Sequence, residues 1–358
     1  MRATKHTRPR ERFLALLCLI SLLCSACLAD VADVGSPDRA HAAAPTTATP
    51  STPTTPTSPS PSIAICAVVK DDADHVLEWV EHHLWLGVER LYVFDDGSPQ
   101  PLARALHRFG PQKVVVLPVP PNASSDSTFA ASPQGLAYNA CIARYCGRHD
   151  YMAFIDADEF IMVNDTAARG VGAREGQSLP GRWQARRDHH HDRRHPPPRS
   201  LPSFIGQHFD RQTTAGVLMN WVVFAGGHVS KPAGGILRNY VRCLPRAHPK
   251  SRVVKTLASC AFVSGAANPH TMVYGGGHGA AAEVDEWGAP LGHDGTYAER
   301  AASPPPHRLF LQHYMFKSEQ EAAAKLRAGS GTGWRKTEEY YREVVEAASE
   351  RCEFAVGL

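Results

Sequence analysis

Three acids fall within four positions at the end of the apolar run "YMAFIDADEF", residues 151–160: Asp156, Asp158 and Glu159. Buried carboxylates cost several kcal/mol each unless they are paired, protonated or bound to a cation. The chemistry such a cluster suits is that of a divalent metal ion held by oxygen ligands. The pattern repeats upstream, where "IAICAVV" runs into Asp71 and Asp72 and "RLYVFDDGS" ends on Asp95, Asp96 and Gly97. A rim of this kind suits a cation and a polyhydroxylated ligand, and a phosphate ligand needs the metal as a bridge. Each stretch also has a plainer reading. Asp95–Gly97 is ordinary turn chemistry, and Asp156-Ala157-Asp158 is compatible with a helix N-cap, although a cap needs one acid and here there are three.

The elements that position these acids follow from the hydrophobic periodicity. "IAICAVV" reads as a buried strand, and "HVLEWVEHHLWLG" places Val76, Leu77, Val80, Leu84 and Leu86 at near-helical spacing before Gly87 stops it. "RLYVFDDGS" is a second strand. "PLARALHRFG" is a short helix between Pro101 and Gly110. "KVVVLPV" is a third strand, "PQGLAYNACIARYCGRH" a helix, and "YMAFIDADEF" a fourth strand. Alternation of this kind predicts an α/β fold with a parallel sheet and helices on its faces. Ligands of such sheets bind beyond the carboxyl ends of the strands, where the acids fall.

The rest of the 358-residue chain sets the context. Net charge is +3, but residues 1–12 contribute +4 and residues 166–200 contribute +5, which leaves the remainder at −6. A nucleic-acid partner would need a basic surface on the folded part, so none is expected. After the basic start, Phe13 to Ala29 is seventeen residues without a charge, roughly 25 Å as a helix. It reads as a signal anchor or as a signal peptide cleaved after Ala29. Residues 30–62 are a Pro/Thr/Ser/Ala stalk that lacks the apolar content to fold. An anchor, a stalk and then a globular domain is the layout of a type II Golgi membrane enzyme, and it also fits a secreted protein. Of nine cysteines, six follow the stalk, which permits three disulfides among fifteen connectivities. Asn122 and Asn164 begin glycosylation sequons. The insert 166–200, with "DHHHDRRH", reads as a disordered loop rather than a metal site. "GGGHG" at 275–279 lacks a following P-loop lysine.

"ICAVVKDDADHVLEWVEHHLWLGVERLYVFDDGS" resembles the opening of the glycosyltransferase family 92 domain, formerly domain of unknown function 23. "YMAFIDADEFI" resembles its Asp-x-Asp strand. "NWVVFAGGHVSKPAGGILRNYVR", "RVVKTLAS", "NPHTMVY" and "LQHYMFKSEQEAAAKLRAGSG" follow in family order, so that the resemblance covers about residues 63–352. It implies a GT-A fold and an inverting, metal-dependent transferase that uses a nucleotide sugar, most often UDP-galactose, on a glycan or polysaccharide acceptor. By the same resemblance Asp158 would bind Mn²⁺ (or Mg²⁺) directly, and Asp156 would touch the donor ribose or reach the metal through water. His313 would be the last metal ligand and Lys317 would neutralise the diphosphate. Lys255 and His270 match family positions on the donor side, and Asp95 and Asp96 the site of the uridine. This chain departs from the family's Lys-Asn-Glu after the first strand, reading Lys70-Asp71-Asp72.

Glycosyl transfer needs charge stabilised on the leaving diphosphate and a base for the acceptor hydroxyl. Glu159, Glu283, Asp285 and Glu286 are the acids on offer, with Asp285 and Glu159 the candidates. Asp285 lies in "EVDEWGAP", which reads as a loop over the site or as a plain solvated loop. Two other functions stay open: transfer from a different UDP-sugar, and carbohydrate binding without turnover.

Overall fold

The computed structural model describes residues 60–70, 75–121, 128–164, 200–275, 281–292, 307–328 and 336–352. The N-terminal segment, nearly all of the stalk, Asp71, Asp72, Asn122, the insert up to residue 199 and residues 276–279 lie outside them.

The first half follows the periodicity closely. Strands β1 (Ile63–Val69), β2 (Arg90–Asp95) and β3 (Val114–Pro118) alternate with helices α1 (Val76–Trp85) and α2 (Leu102–Leu106). Gly87 and Gly110, with φ of +98° and +71°, end the helical stretches as the sequence predicts. Helix α3 (Pro133–Tyr145) starts on Ser132, whose hydroxyl accepts the Gly135 N–H, and leads into β4 (Tyr151–Phe154). The fourth strand stops earlier than its apolar run suggests. Asp156 to Asp158 turn the chain, and β5 (Glu159–Val163) leaves for another part of the sheet.

The second half contributes α4 (Leu201–His208), the twelve-residue β6 (Thr214–Ala225), α5 (Ile236–Asn239), β7 (Arg242–Cys243) and β8 (Val254–Ser259). A hairpin of β9 (Val263–Ala266) and β10 (Met272–Tyr274) follows, then β11 (Ala282–Val284) and β12 (Leu309–Phe316). Helices α6 (Glu319–Ala328) and α7 (Glu338–Ala347) and the short β13 (Glu350–Arg351) complete the described chain. The tail helix packs Val344 into the core.

In the eleven-stranded sheet, β3, β2, β1 and β4 run parallel. Strand β8 then lies antiparallel between β4 and β6. One edge of β6 takes β8 and β7, and the other takes β11 and β12 end to end. Strand β5 pairs antiparallel with β12. The expected α/β architecture with helices on both faces is therefore present. Along β1, Ile63, Ile65, Ala67 and Val69 face the α1 side, while Ala64 and Cys66 face α3. Burial on both faces is why the strand reads as a continuous apolar run.

Helix α1 also does work that a strand would do elsewhere. The Trp79 indole N–H donates to the Glu159 carbonyl at 2.7 Å, and His82 Nε2 donates to the Ile161 carbonyl at 2.8 Å. The Ile161 N–H in turn donates to His83 Nε2 at 3.1 Å, and His83 Nδ1 donates to the Trp79 carbonyl. Backbone groups on the edge of β5 are thus satisfied by side chains rather than by another strand. All three side chains are buried.

The six cysteines of the folded part pair as Cys66–Cys141, Cys146–Cys260 and Cys243–Cys352. The first ties β1 to α3. The second ties the end of the α3 segment to the turn after β8. The third closes β7 against the residue that follows β13.

Candidate active site

The turn between β4 and β5 stands beyond the carboxyl end of β4 and beside the last residues of β1, since the Ile155 N–H bonds the carbonyl of Cys66, three residues before β1 ends. Antiparallel β8 brings the start of its own strand to the same place. Lys255, on that strand, is fully buried, and its Nζ lies 3.0 Å from Asp156 Oδ2 and 3.7 Å from Glu159 Oε2. Burial disfavours the ammonium, but Asp156 and Glu159 more than offset it and hold the lysine pKa above its ordinary value. Gln134, from the first turn of α3, donates to Asp156 Oδ1 at 2.8 Å. Burial opposes ionisation of Asp156 as well, yet the lysine draws its pKa below the ordinary carboxylate value.

Asp158 faces a second group of residues. His313 comes from the middle of β12, opposite Glu159 of β5 and Val223 of β6. Its Nε2 is 3.6 Å from Asp158 Oδ1, too long for a hydrogen bond. Lys325 of α6 donates to Asp158 Oδ2 at 2.5 Å and to the Met315 carbonyl at 3.0 Å. Burial raises the cost of charge on Asp158, but Lys325 and His313 keep its pKa well below the ordinary carboxylate value. Burial lowers the His313 pKa. Lys336 adds its field to the same two aspartates, and burial pushes its own pKa down to about 7.

The wall of the site is aromatic. Trp221 of β6 packs edge-on against His313 with ring centroids 4.1 Å apart, and against His270 at 5.5 Å. His270 Nδ1 donates to the Val254 carbonyl at 3.0 Å, which turns Nε2 into the lone-pair nitrogen. Burial brings its pKa down to about 4. Two buried polar atoms here, His313 Nδ1 and Trp221 Nε1, have no partner among the described residues.

The predicted site residues therefore divide. Asp156, Asp158, Lys255 and His313 converge, with His270 beside them. Lys317 is buried just past the end of β12. Asp95 is engaged locally, accepting the Ser98 and Leu102 N–H groups at 2.8 and 3.1 Å, which is the turn-and-cap role. Asp96 faces Lys70, with Nζ 3.6 Å from Oδ2. Glu159 has no exposed surface. Its Oε2 accepts the Asp156 N–H at 2.8 Å, and burial pushes its pKa well above the ordinary carboxylate value.

"EVDEWGAP" is not a loop over this site. Its first residues join the sheet as β11, and Asp285 is buried, with Oδ1 accepting the N–H groups of Trp287 and Ala289. Val284 pairs with Val217 and His313 with Val223, so six residues of β6 separate them, about 20 Å at the rise of a strand. Glu286 is likewise buried and accepts the N–H groups of Arg308 and Leu309. The sequence reading missed Gln134, Trp221, Lys325 and Lys336.

Residues 62–170 match the family model of glycosyltransferase family 92. The family resemblance read from the motifs is thereby shown over the segment that carries Asp156, Asp158 and Glu159. Two curated relatives agree: glycosyltransferase family 92 proteins of Arabidopsis thaliana and of Ricinus communis. The first is 22% identical over 109 residues, which are 30% of this chain and 18% of that protein. The second is 24% identical over 101 residues, 28% of this chain and 16% of that protein. The matched part spans less than a fifth of either relative. A crystal structure of S. aureus TarS, residues 1–349, aligns over 56% of this chain and 47% of its own at 11% identity, with a TM-score of 0.31, too slight a likeness to carry an argument. The family 92 match ends before β6, so Lys255, His270, His313 and Lys325 lie outside it.

Proposed function

We propose that the folded part is a glycosyltransferase that moves a sugar, with galactose from UDP-galactose the first candidate, onto a glycan acceptor with inversion. The observation that carries this reading is the convergence of Asp156, Asp158, Lys255 and His313 at one sheet edge, from a family 92 segment and from strands outside it. Their chemistry fits a divalent cation. Asp158 offers carboxylate oxygen and His313 a neutral imidazole nitrogen at 3.6 Å, a gap suited to two ligands of one ion rather than to a hydrogen bond. Asp158 and His313 would hold Mn²⁺ or Mg²⁺, and the ion would stabilise negative charge on a leaving diphosphate.

The chain's own residues do the rest. Lys255 and Gln134 fix both oxygens of Asp156, which leaves the exposed part of that carboxylate aimed at a donor hydroxyl. Trp221 Nε1 presents an unspent N–H to a ligand oxygen. Lys317, Lys325 and Lys336 supply positive charge for the diphosphate. Asp285 is held by backbone donors and Glu159 has no exposed surface, which speaks against either as the base that takes the acceptor proton. Closure of all six cysteines into disulfides supports a secretory compartment, whether Golgi or extracellular. Membrane attachment would rest on residues 13–29. Among the described residues no helix is long and apolar enough to cross a membrane.

The test is Mn²⁺-dependent UDP release across a panel of UDP-sugars, beside Asp158→Ala. Release with UDP-galactose that falls at least about 100-fold in the variant is the expected result, in line with the loss of a key charge-stabilising group. Release from another UDP-sugar would keep the chemistry and change the donor. Glycan binding without release from any sugar would make the protein a carbohydrate-binding one.

A further inference from the structure

We infer that Lys325 is an internal counter-ion of the cation site: its ammonium holds the Asp158 oxygen until a divalent cation arrives, and then moves to the donor's diphosphate. This rests on the proposed cation site at Asp158 and His313. Each oxygen of Asp158 is already faced by one group. His313 Nε2 stands 3.6 Å from Oδ1, and Lys325 Nζ lies 2.5 Å from Oδ2 with a second bond, 3.0 Å long, to the Met315 carbonyl. Asp158 is nearly enclosed, with 12% of its side chain exposed, so the pocket has little room for two cations at once. A divalent ion on Asp158 would meet the ammonium across one carboxylate, and like charges at that separation repel strongly where water is scarce.

Lys325 can leave without unfolding anything. It sits in the last turns of α6, one third of its side chain is exposed, and its tip is the only part engaged at Asp158. A lysine suits this part because its ammonium is a point charge on a flexible four-carbon stem. Charge balance supplies the destination. Lys255 is paired with Asp156 at 3.0 Å and Lys325 with Asp158 at 2.5 Å. The cluster is thus already compensated without a metal, and adding a divalent ion leaves an excess of positive charge that an anionic diphosphate answers. Cation and donor binding are coupled by this arrangement: the metal frees the lysine, and the diphosphate gives it a new partner.

The experiment is Mn²⁺ titration of the full chain, followed by electron paramagnetic resonance of the free ion, for the wild type, Lys325→Met and Lys325→Arg. Without UDP, Lys325→Met is expected to bind Mn²⁺ about 10-fold more tightly than the wild type, and Lys325→Arg to stay near it. At saturating Mn²⁺, UDP binding to Lys325→Met is expected to weaken by about 10-fold. Equal or weaker Mn²⁺ binding by Lys325→Met overturns the inference while leaving the cation site in place. Absence of Mn²⁺ binding by every protein, with and without UDP, overturns the cation site and the inference together. A second measurement needs no variant. Reductive methylation of the wild type, read by mass spectrometry, should label Lys325 faster when Mn²⁺ is added and slower again with UDP, and labelling indifferent to Mn²⁺ overturns the inference.

Discussion

Lys255 shows how a residue that reads as one more basic position becomes a structural hinge of the site. It carries a charge with no exposed surface, and its partners are Asp156 and Glu159. Removing one member of a buried ionic group leaves the others uncompensated, whereas removing matched members is far milder. Lys255→Met should therefore lower stability by about 3–5 kcal/mol, and adding Asp156→Asn, which removes the carboxylate hydrogen-bonded to the lysine, should recover a large part of it. Urea denaturation of the single and double variants checks this, and equal losses in both would mean that the lysine is not balancing these acids. At this scale the acids were legible, because carboxylates at the end of an apolar run are conspicuous. Their partners were not. Glu321 and Lys325 stand at the spacing of a surface ion pair on α6. In the fold Glu321 turns instead to His75, Ser318 and Tyr240, while Lys325 reaches Asp158. Spacing along one helix cannot show which distant carboxylate competes for a side chain.

Helix α1 gives the element scale its clearest dependence on pH. His83 serves the Ile161 backbone only as a neutral ring, since its Nε2 must accept a hydrogen bond, whereas His82 donates to the Ile161 carbonyl and is held neutral by its burial. Burial lowers both pKa values, that of His82 to about 4. A folded pKa below the unfolded value of about 6.5 means that the unfolded chain binds protons first, so the stabilisation is complete above pH 6.5 and is lost as pH falls toward 4. For His82 alone the loss approaches about 3 kcal/mol, at about 1.4 kcal/mol per pKa unit. Denaturant midpoints at pH 7.5, 6.0 and 5.0 should fall in that order, and a flat profile to pH 5.0 would remove these histidines from the account. His83→Leu, which strips the Ile161 N–H of its acceptor, should cost about 1–3 kcal/mol already at pH 7.5. The helix itself was plain from Val76, Val80 and Leu84. The histidine pair was silent, because hydrophobic periodicity says nothing about backbone groups left bare on a neighbouring strand. The same blindness applied to "EVDEWGAP", whose charge density resembles a loop but in which Asp285 and Glu286 accept turn and strand N–H groups and Glu283 accepts the Tyr274 hydroxyl.

For the molecule as a whole, the three disulfides close segments with sequence separations of 75, 114 and 109 residues. In the chain-entropy account each contributes about 4–5 kcal/mol by restricting the unfolded state. Reduction should lower the thermal midpoint by well over 10 °C, at about 2–4 °C per kcal/mol for a domain of this size. A scan with and without reductant reads this directly, and an unchanged midpoint would show the bridges to be incidental. The alternation of strands and helices through β4 and the even cysteine count were both legible. The cysteine pairing was not, nor was the mixed second half, because β6 takes partners on both edges, among them β12, whose Phe310 pairs with Asn220, which no local pattern encodes.

The turn that carries Asp156 and Asp158 has a bearing on the order of synthesis. It is made early, yet the groups that make its charge tolerable arrive late: Lys255, then His313, then Lys325. A nascent chain therefore holds two carboxylates solvated by water through most of its emergence, before the lysines that pair with them are made. The segment that matches the family 92 model inherits that same predicament on its own. The centre comes into being last, when α6 delivers Lys325 and the chain after it delivers Lys336.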